Sequence, residues 1–96
     1  MRHEQKVREV LKEAKLFGAS KFIVRDTEAL VIKSGEINEI IAAMEGGDEE
    51  FGIECYDAEN KRMGWFLIIL ANEVEEVIAD YSDNDFCERI WKITQG

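Results

Sequence analysis

Met63-Gly64-Trp65-Phe66-Leu67-Ile68-Ile69-Leu70 is the stretch that decides the fold. It is apolar on both alternating faces, rich in aromatic and β-branched residues, and less than half the roughly 20 residues that cross a bilayer. A strand that is greasy on both faces is a strand covered on both faces, so this one belongs in the interior of a sheet. Just before it, Phe51, Ile53 and Cys55 alternate with Gly52, Glu54 and Tyr56. That period of two describes a neighbouring strand with one apolar face. Asp57-Ala58-Glu59-Asn60 joins the two as a turn, Asn60 tolerating a positive φ.

Further outward, Val7, Val10, Leu11, Ala14 and Phe17 keep the i, i+3, i+4, i+7 spacing of a helical face. They predict a helix over residues 3–17, stopped by Gly18. Lys21–Arg25 and Ala29–Lys33 form a hairpin about Asp26-Thr27-Glu28. Ile37, Ile40, Ile41 and Met44 make a second helical stripe over 35–45, with Ser34 as its cap and Gly46-Gly47 as its end. After the deciding strand, residues 72–81 fit two patterns. Val74, Val77, Ile78 and Tyr81 suit a helix, while Val77–Tyr81 suit a short last strand after a turn at Asn72, and the strand is preferred. Ser82-Asp83-Asn84-Asp85 then reads as a capping box with Ser82 as N-cap, and Tyr81 with Phe86 as a hydrophobic staple. The buried stripe of this final helix is Phe86, Cys87, Ile90 and Ile93 or Thr94, with Trp91 near its edge.

The order α-β-β-α-β-β-(β)-α predicts a single α+β domain over residues 1–96: one antiparallel sheet of four to five strands, with two to three helices mainly on one face. The double-sided strand then needs a cover on the other face. Either a helix crosses there or a second copy of the chain does, and a homodimer is the expectation.

Charge is distributed unevenly. Residues 1–33 carry eight Lys/Arg and five Asp/Glu, a balance of +3; residues 34–96 carry four and sixteen, a balance of −12, which together give the net −9. Net charge bears on association more than on fold. Lys6, Arg8, Lys12, Lys15, Lys21 and Arg25 form a loose basic set, read as a solvated helix face. The acidic remainder would repel a polyanion, so direct nucleic-acid binding is not expected. The N-terminus lacks the apolar core of a signal peptide and no stretch is long enough to span a membrane, which points to the cytoplasm. In that setting Cys55 and Cys87 are expected as reduced, buried thiols.

No catalytic constellation emerges. His3 is the single histidine and sits at an end expected to be frayed and exposed, which suits no general base. The two cysteines fall on inward registers, and Asp83, Asp85 and Glu88 oppose a thiolate at Cys87. Residues 80–85 imitate a calcium loop, but Asp85 replaces the glycine at the sixth place and Trp91 the bidentate glutamate at the twelfth. Asp48-Glu49-Glu50 after Gly46-Gly47 would repel phosphate. No metal or other cofactor is therefore expected.

Two acidic clusters remain. One is Glu45, Asp48, Glu49 and Glu50; the other is Glu73, Glu75, Glu76, Asp80, Asp83, Asp85 and Glu88, with no Lys or Arg between Asn72 and Glu88. With Trp91 as an aromatic anchor, the second cluster is the candidate partner-binding set, steering towards a basic protein surface. Trp65 and Phe66 are further aromatic candidates, with core burial the competing fate. The stretch Trp65-Phe66-Leu67-Ile68-Ile69-Leu70-Ala71-Asn72 followed by Val77-Ile78-Ala79-Asp80-Tyr81-Ser82-Asp83-Asn84 resembles small phage- and mobile-element-type proteins. In those, a tryptophan-led strand, an Asn turn and an Ile-x-Asp-Tyr-Ser/Thr stretch precede a last helix. That resemblance implies a small accessory or inhibitory binding protein, inhibitors of host defence among them, and supports a strand at Val77–Tyr81. The expected function is a non-enzymatic, acidic protein-binding domain. A DNA-mimicking inhibitor of a basic nucleic-acid-binding protein is the alternative, and a small-ligand or metal-dependent enzyme the third class.

Overall fold

The deciding stretch folds as β4, Arg62–Ile69, and its hydrogen-bonding neighbours organise the rest. The computed structural model of the chain describes residues 1–95. Among these, α1 is Glu4–Leu16, β1 Lys21–Asp26, β2 Ala29–Ser34, α2 Ile37–Glu45 and β3 Glu50–Tyr56. A single turn of 3₁₀ helix, Val74–Glu76, follows β4, and β5 (Ile78–Tyr81) and α3 (Asp85–Thr94) close the chain. The strands form one antiparallel sheet in the order β2-β1-β3-β4-β5. The expected α+β order is therefore present, with residues 78–81 as the fifth strand.

Hairpin connections make the sheet antiparallel. Thr27 and Asn60, at the tips of the β1–β2 and β3–β4 turns, both take positive φ (59° and 66°). Asn60 does so readily because its short amide side chain tolerates the left-handed region.

The inner face of the sheet carries Phe22 and Val24 from β1, Phe51, Ile53 and Cys55 from β3, and Phe66 and Ile68 from β4. Against them pack Val7, Val10, Leu11 and Ala14 of α1, Ile40, Ile41 and Met44 of α2, and Cys87 and Ile90 of α3. α1 lies between the other two helices, touching both. Each fully buried phenylalanine contributes up to about 3 kcal/mol of transfer free energy, an upper figure because the unfolded chain already hides some surface.

Three expectations are corrected. First, β4 is interior to the sheet, but of the two covers expected on its second face, a crossing helix is not present among the described residues. Phe66 and Ile68 are fully covered, while Trp65, Leu67 and Ile69 on the alternate positions are only half-buried. The helices layer on one face, and among the described residues no element covers the other. Second, Ser82 does not cap α3. Asn84 is the N-cap, its Oδ1 accepting from Cys87 N at 2.9 Å, and Ser82 Oγ instead accepts from Trp65 N across the sheet at 3.0 Å. With the cap two residues later, Tyr81 and Phe86 no longer flank the first turn as a staple. Tyr81 stacks on Trp91 (centroids 5.9 Å, 20° between planes) and Phe86 packs on Phe66. Third, His3 is not frayed: it stands at the N-cap position of α1 with φ 59° and no capping side-chain bond, and its Nε2–H donates instead to Asn72 O at 2.8 Å, tying the N-terminus to the β4–β5 loop.

Candidate partner surfaces

The topology sorts the acids by the ends of the strands. One end of the sheet holds the β1–β2 turn, the α2–β3 loop, the β4–β5 loop, the start of α1 and the C-terminal ends of α2 and α3. Contacts knit these pieces together: Asp48 N donates to Asp26 Oδ2 (3.3 Å), Leu70 N to Glu49 O (2.7 Å), and Asn72 Nδ2 to Glu76 O (3.0 Å). This pole therefore collects Asp26 and Glu28, then Glu45, Asp48, Glu49 and Glu50, then Glu73, Glu75 and Glu76, with Glu4 beside Glu45. Basic residues stand among them as well: Arg2, Lys6, which is engaged with Thr94 O and Glu9, and Lys92 in the last turn of α3, which pairs with Glu88. The negative ends of the α2 and α3 dipoles add to the same field, and the positive end of α1 offsets part of it.

The predicted partner-binding set is consequently divided. Glu73, Glu75 and Glu76 join the acidic pole. Asp83, Asp85 and Glu88 lie at the opposite end, where α3 begins, and Asp80 points from β5 onto the uncovered sheet face, opposite Leu67. The two acidic clusters that look separate in the chain thus merge in part, and the second one splits.

Part of the set does meet in a groove of about 400 Å³ along the β5 edge, lined by Asn72, Glu75, Glu76, Ile78, Tyr81 and Trp91. Its aromatic wall is the stacked Tyr81–Trp91 pair. Next to Ile78, Gln95 bridges β5 and the preceding 3₁₀ turn, its Oε1 accepting from Ile78 N (2.7 Å) and its Nε2 donating to Val74 O (2.9 Å). Tyr81 N in turn donates to Asp80 Oδ1 (2.9 Å). Side chains thereby occupy outward backbone donors of this edge strand, which blunts it against strand addition.

The uncovered face is the second surface. Ile23, Trp65, Leu67 and Ile69 lie on it, half-buried and outside the core cluster, with Leu30 59% exposed. A depression of about 360 Å³ opens over Gly52, walled by Arg25, Thr27, Glu50, Glu54, Trp65 and Leu67. The missing side chain matters here: a Cβ on Gly52 would stand 3.0 Å from Trp65 Nε1. Arg25 Nε donates to Glu54 Oε2 at 2.9 Å and Tyr56 OH to Glu54 Oε1 at 2.7 Å. Burial opposes ionisation of Glu54, but these two donors outweigh it and hold its carboxyl below the usual range.

Cys55 and Cys87 are both free and buried, and burial is the leading cause that pushes each thiol above its ordinary pKa. Among the described residues, no three His, Cys, Asp or Glu side chains are grouped to hold a metal ion, and no helix is long and apolar enough to cross a membrane. Sequence reasoning anticipated a second sheet face in need of a cover but did not single out Ile23 and Leu67 as the residues that form it. Its signal was present in the outward register of Ile23, Trp65 and Leu67. Compared with known proteins, the chain matches no family model, no curated protein and no solved structure.

Proposed function

We propose that this chain is a small non-enzymatic protein-binding domain of accessory type, and that it takes basic side chains of a protein partner into the groove between β5 and α3. The observation that carries this is the juxtaposition of Glu75 and Glu76 with the stacked Tyr81–Trp91 pair around one groove. A Lys or Arg stem lies well against an aromatic face, where the ring quadrupole attracts the cation, and carboxylates at the rim hold the charged head. The acidic pole beyond the groove raises encounter rates with a positive surface and makes them fall with salt.

The test is affinity capture from nuclease-treated lysate, comparing wild type with Glu75→Gln/Glu76→Gln, with Trp91→Ala after its fold is checked by near-ultraviolet circular dichroism, and with Asp83→Asn/Asp85→Asn/Glu88→Gln. A partner lost from the first two and kept by the third supports the groove. A partner kept by the first two, or one that resists high salt, overturns it. The gathering of ten acids at one pole also favours a second proposal, a mimic of the nucleic-acid backbone. That reading requires the captured protein to bind nucleic acid, to be displaced by duplex DNA, and to be released only when acids across the whole pole are neutralised together.

A further inference from the structure

Cys55 and Cys87 come from separate parts of the chain, β3 and the first turn of α3, and meet over one bare point of the sheet. Gly64 is that point. It is the direct cross-strand neighbour of Cys55, and a Cβ built on it would stand 2.4 Å from Cys87 Sγ. Side chains paired across antiparallel strands have Cβ atoms about 4.5–5.5 Å apart. The Cys87 sulfur, lying where Gly64 has no side chain, is therefore an immediate neighbour of the Cys55 side chain. Burial, and after it the nearby Cys87, pushes the Cys55 thiol above its ordinary pKa, which agrees with that proximity. Both cysteines are free.

We propose that this pair is a redox latch: Cys55 and Cys87 close to a disulfide when the protein meets an oxidising small-molecule disulfide, and the bond pins the start of α3 to β3. A disulfide brings its two Cβ atoms to about 3.8 Å, and the absent side chain at Gly64 leaves nothing between the two cysteines to hold them off.

Access comes through α3. In the closed fold both sulfurs are buried and protonated. α3 is the last element of the chain, and it lifts without breaking the sheet, whose middle strand is β3. Asn84 holds its first turn by two bonds, accepting from Cys87 N at 2.9 Å and donating to Met63 O at 3.1 Å. Local opening of such a segment costs less than global unfolding. It carries Cys87 into solvent, where the thiol ionises more readily. The Cys87 thiolate attacks one sulfur of oxidised glutathione; the S–S bond breaks, and one glutathione leaves and takes up the proton Cys87 gave to solvent. As α3 returns, the Cys55 sulfur, losing its proton, attacks the Cys87 sulfur, and the second glutathione leaves as a thiol. Two thiols of the chain are oxidised, and one glutathione disulfide is reduced to two thiols. The latch does not depend on the function assigned to the β5–α3 groove.

Incubation of the native chain with oxidised glutathione, followed by alkylation and intact-mass spectrometry, tests this. Wild type is expected to lose both thiols and the mass of two hydrogen atoms, retaining no glutathione. Its urea midpoint should rise and return when a reductant is added, since a cross-link restricts the unfolded chain. Cys55→Ser and Cys87→Ser should gain no urea resistance from the same treatment. Asn84→Ala, checked as folded by circular dichroism, should close several-fold faster than wild type because α3 lifts more often. Wild type that stays reduced, stops at a mixed disulfide or cross-links two chains overturns the proposal. A disulfide that lowers the urea midpoint, or whose rate ignores Asn84→Ala, overturns it as well.

Discussion

Gly64 shows how a single residue can be decisive without announcing itself. It lies on the inner face of β4, opposite Cys55, and a Cβ there would fall 2.4 Å from Cys87 Sγ and 3.2 Å from the Phe86 ring. The start of α3 rests directly on this bare backbone. Gly64→Ala should therefore push α3 off the sheet and destabilise the fold by about 1–3 kcal/mol, the usual cost of overpacking a tight core. Urea titration read by tryptophan fluorescence would measure it; an unchanged midpoint would mean that α3 yields freely. In the sequence, Gly64 reads only as a break in an apolar run. Its meaning depends on Cys87, which periodicity cannot bring opposite it. The inward Cys55, by contrast, was legible, because alternation along Phe51, Ile53 and Cys55 assigns a face directly.

Elements were legible where one local pattern decided them, and misjudged where a distant partner competed. Ser82 has the chemistry of an N-cap and the right spacing to Asp85, yet Trp65 N on the neighbouring strand takes its hydroxyl. Asn84, two residues on, then caps α3 and also donates from Nδ2 to Met63 O at 3.1 Å. Asn84→Ala should cost about 1 kcal/mol or somewhat more, since it loses both the cap and the tie to β4. In Ser82→Ala, α3 should keep its helicity while the β4–β5 edge loosens, which amide hydrogen exchange at Trp65 would report. Between β1 and β3, the Arg25–Glu54–Tyr56 cluster makes a pH-dependent contribution. Because Glu54's folded pKa is depressed, its stabilisation is complete above the ordinary glutamate value of about 4.3 and fades as pH falls through the lower folded value. The urea-midpoint gap between wild type and Glu54→Gln should thus be largest near neutrality and close as the solution is made more acidic. A gap that does not change with pH would assign the contact to neutral hydrogen bonding instead.

At the scale of the molecule, chain position and spatial position part company. The sequence divides into a basic first third and an acidic remainder, but every strand reverses direction, so the loops at one end draw acids from all along the chain. Asp26 and Glu28 come from the basic third and still join the acidic pole. Ten carboxylates held at one end repel one another more in the folded state than in the expanded chain, where they are farther apart. This repulsion lowers stability, and salt should relieve it: raising the ionic strength shortens the screening length from about 30 Å at 0.01 M to about 8 Å at 0.15 M. The urea midpoint should consequently rise with sodium chloride over that range, measured at dilute concentration so that self-association does not contribute. Glu49→Lys, which reverses one charge at the centre of the pole, should raise the low-salt midpoint and flatten its salt dependence. Glu59→Lys, in the β3–β4 turn at the opposite end, should change that dependence less. If both reversals acted equally, the field would follow net charge alone and the pole would have no separate energetic identity. A larger effect at Glu49 would show that the fold concentrates negative charge at one end against its own stability, the arrangement a surface selected for a basic partner would maintain.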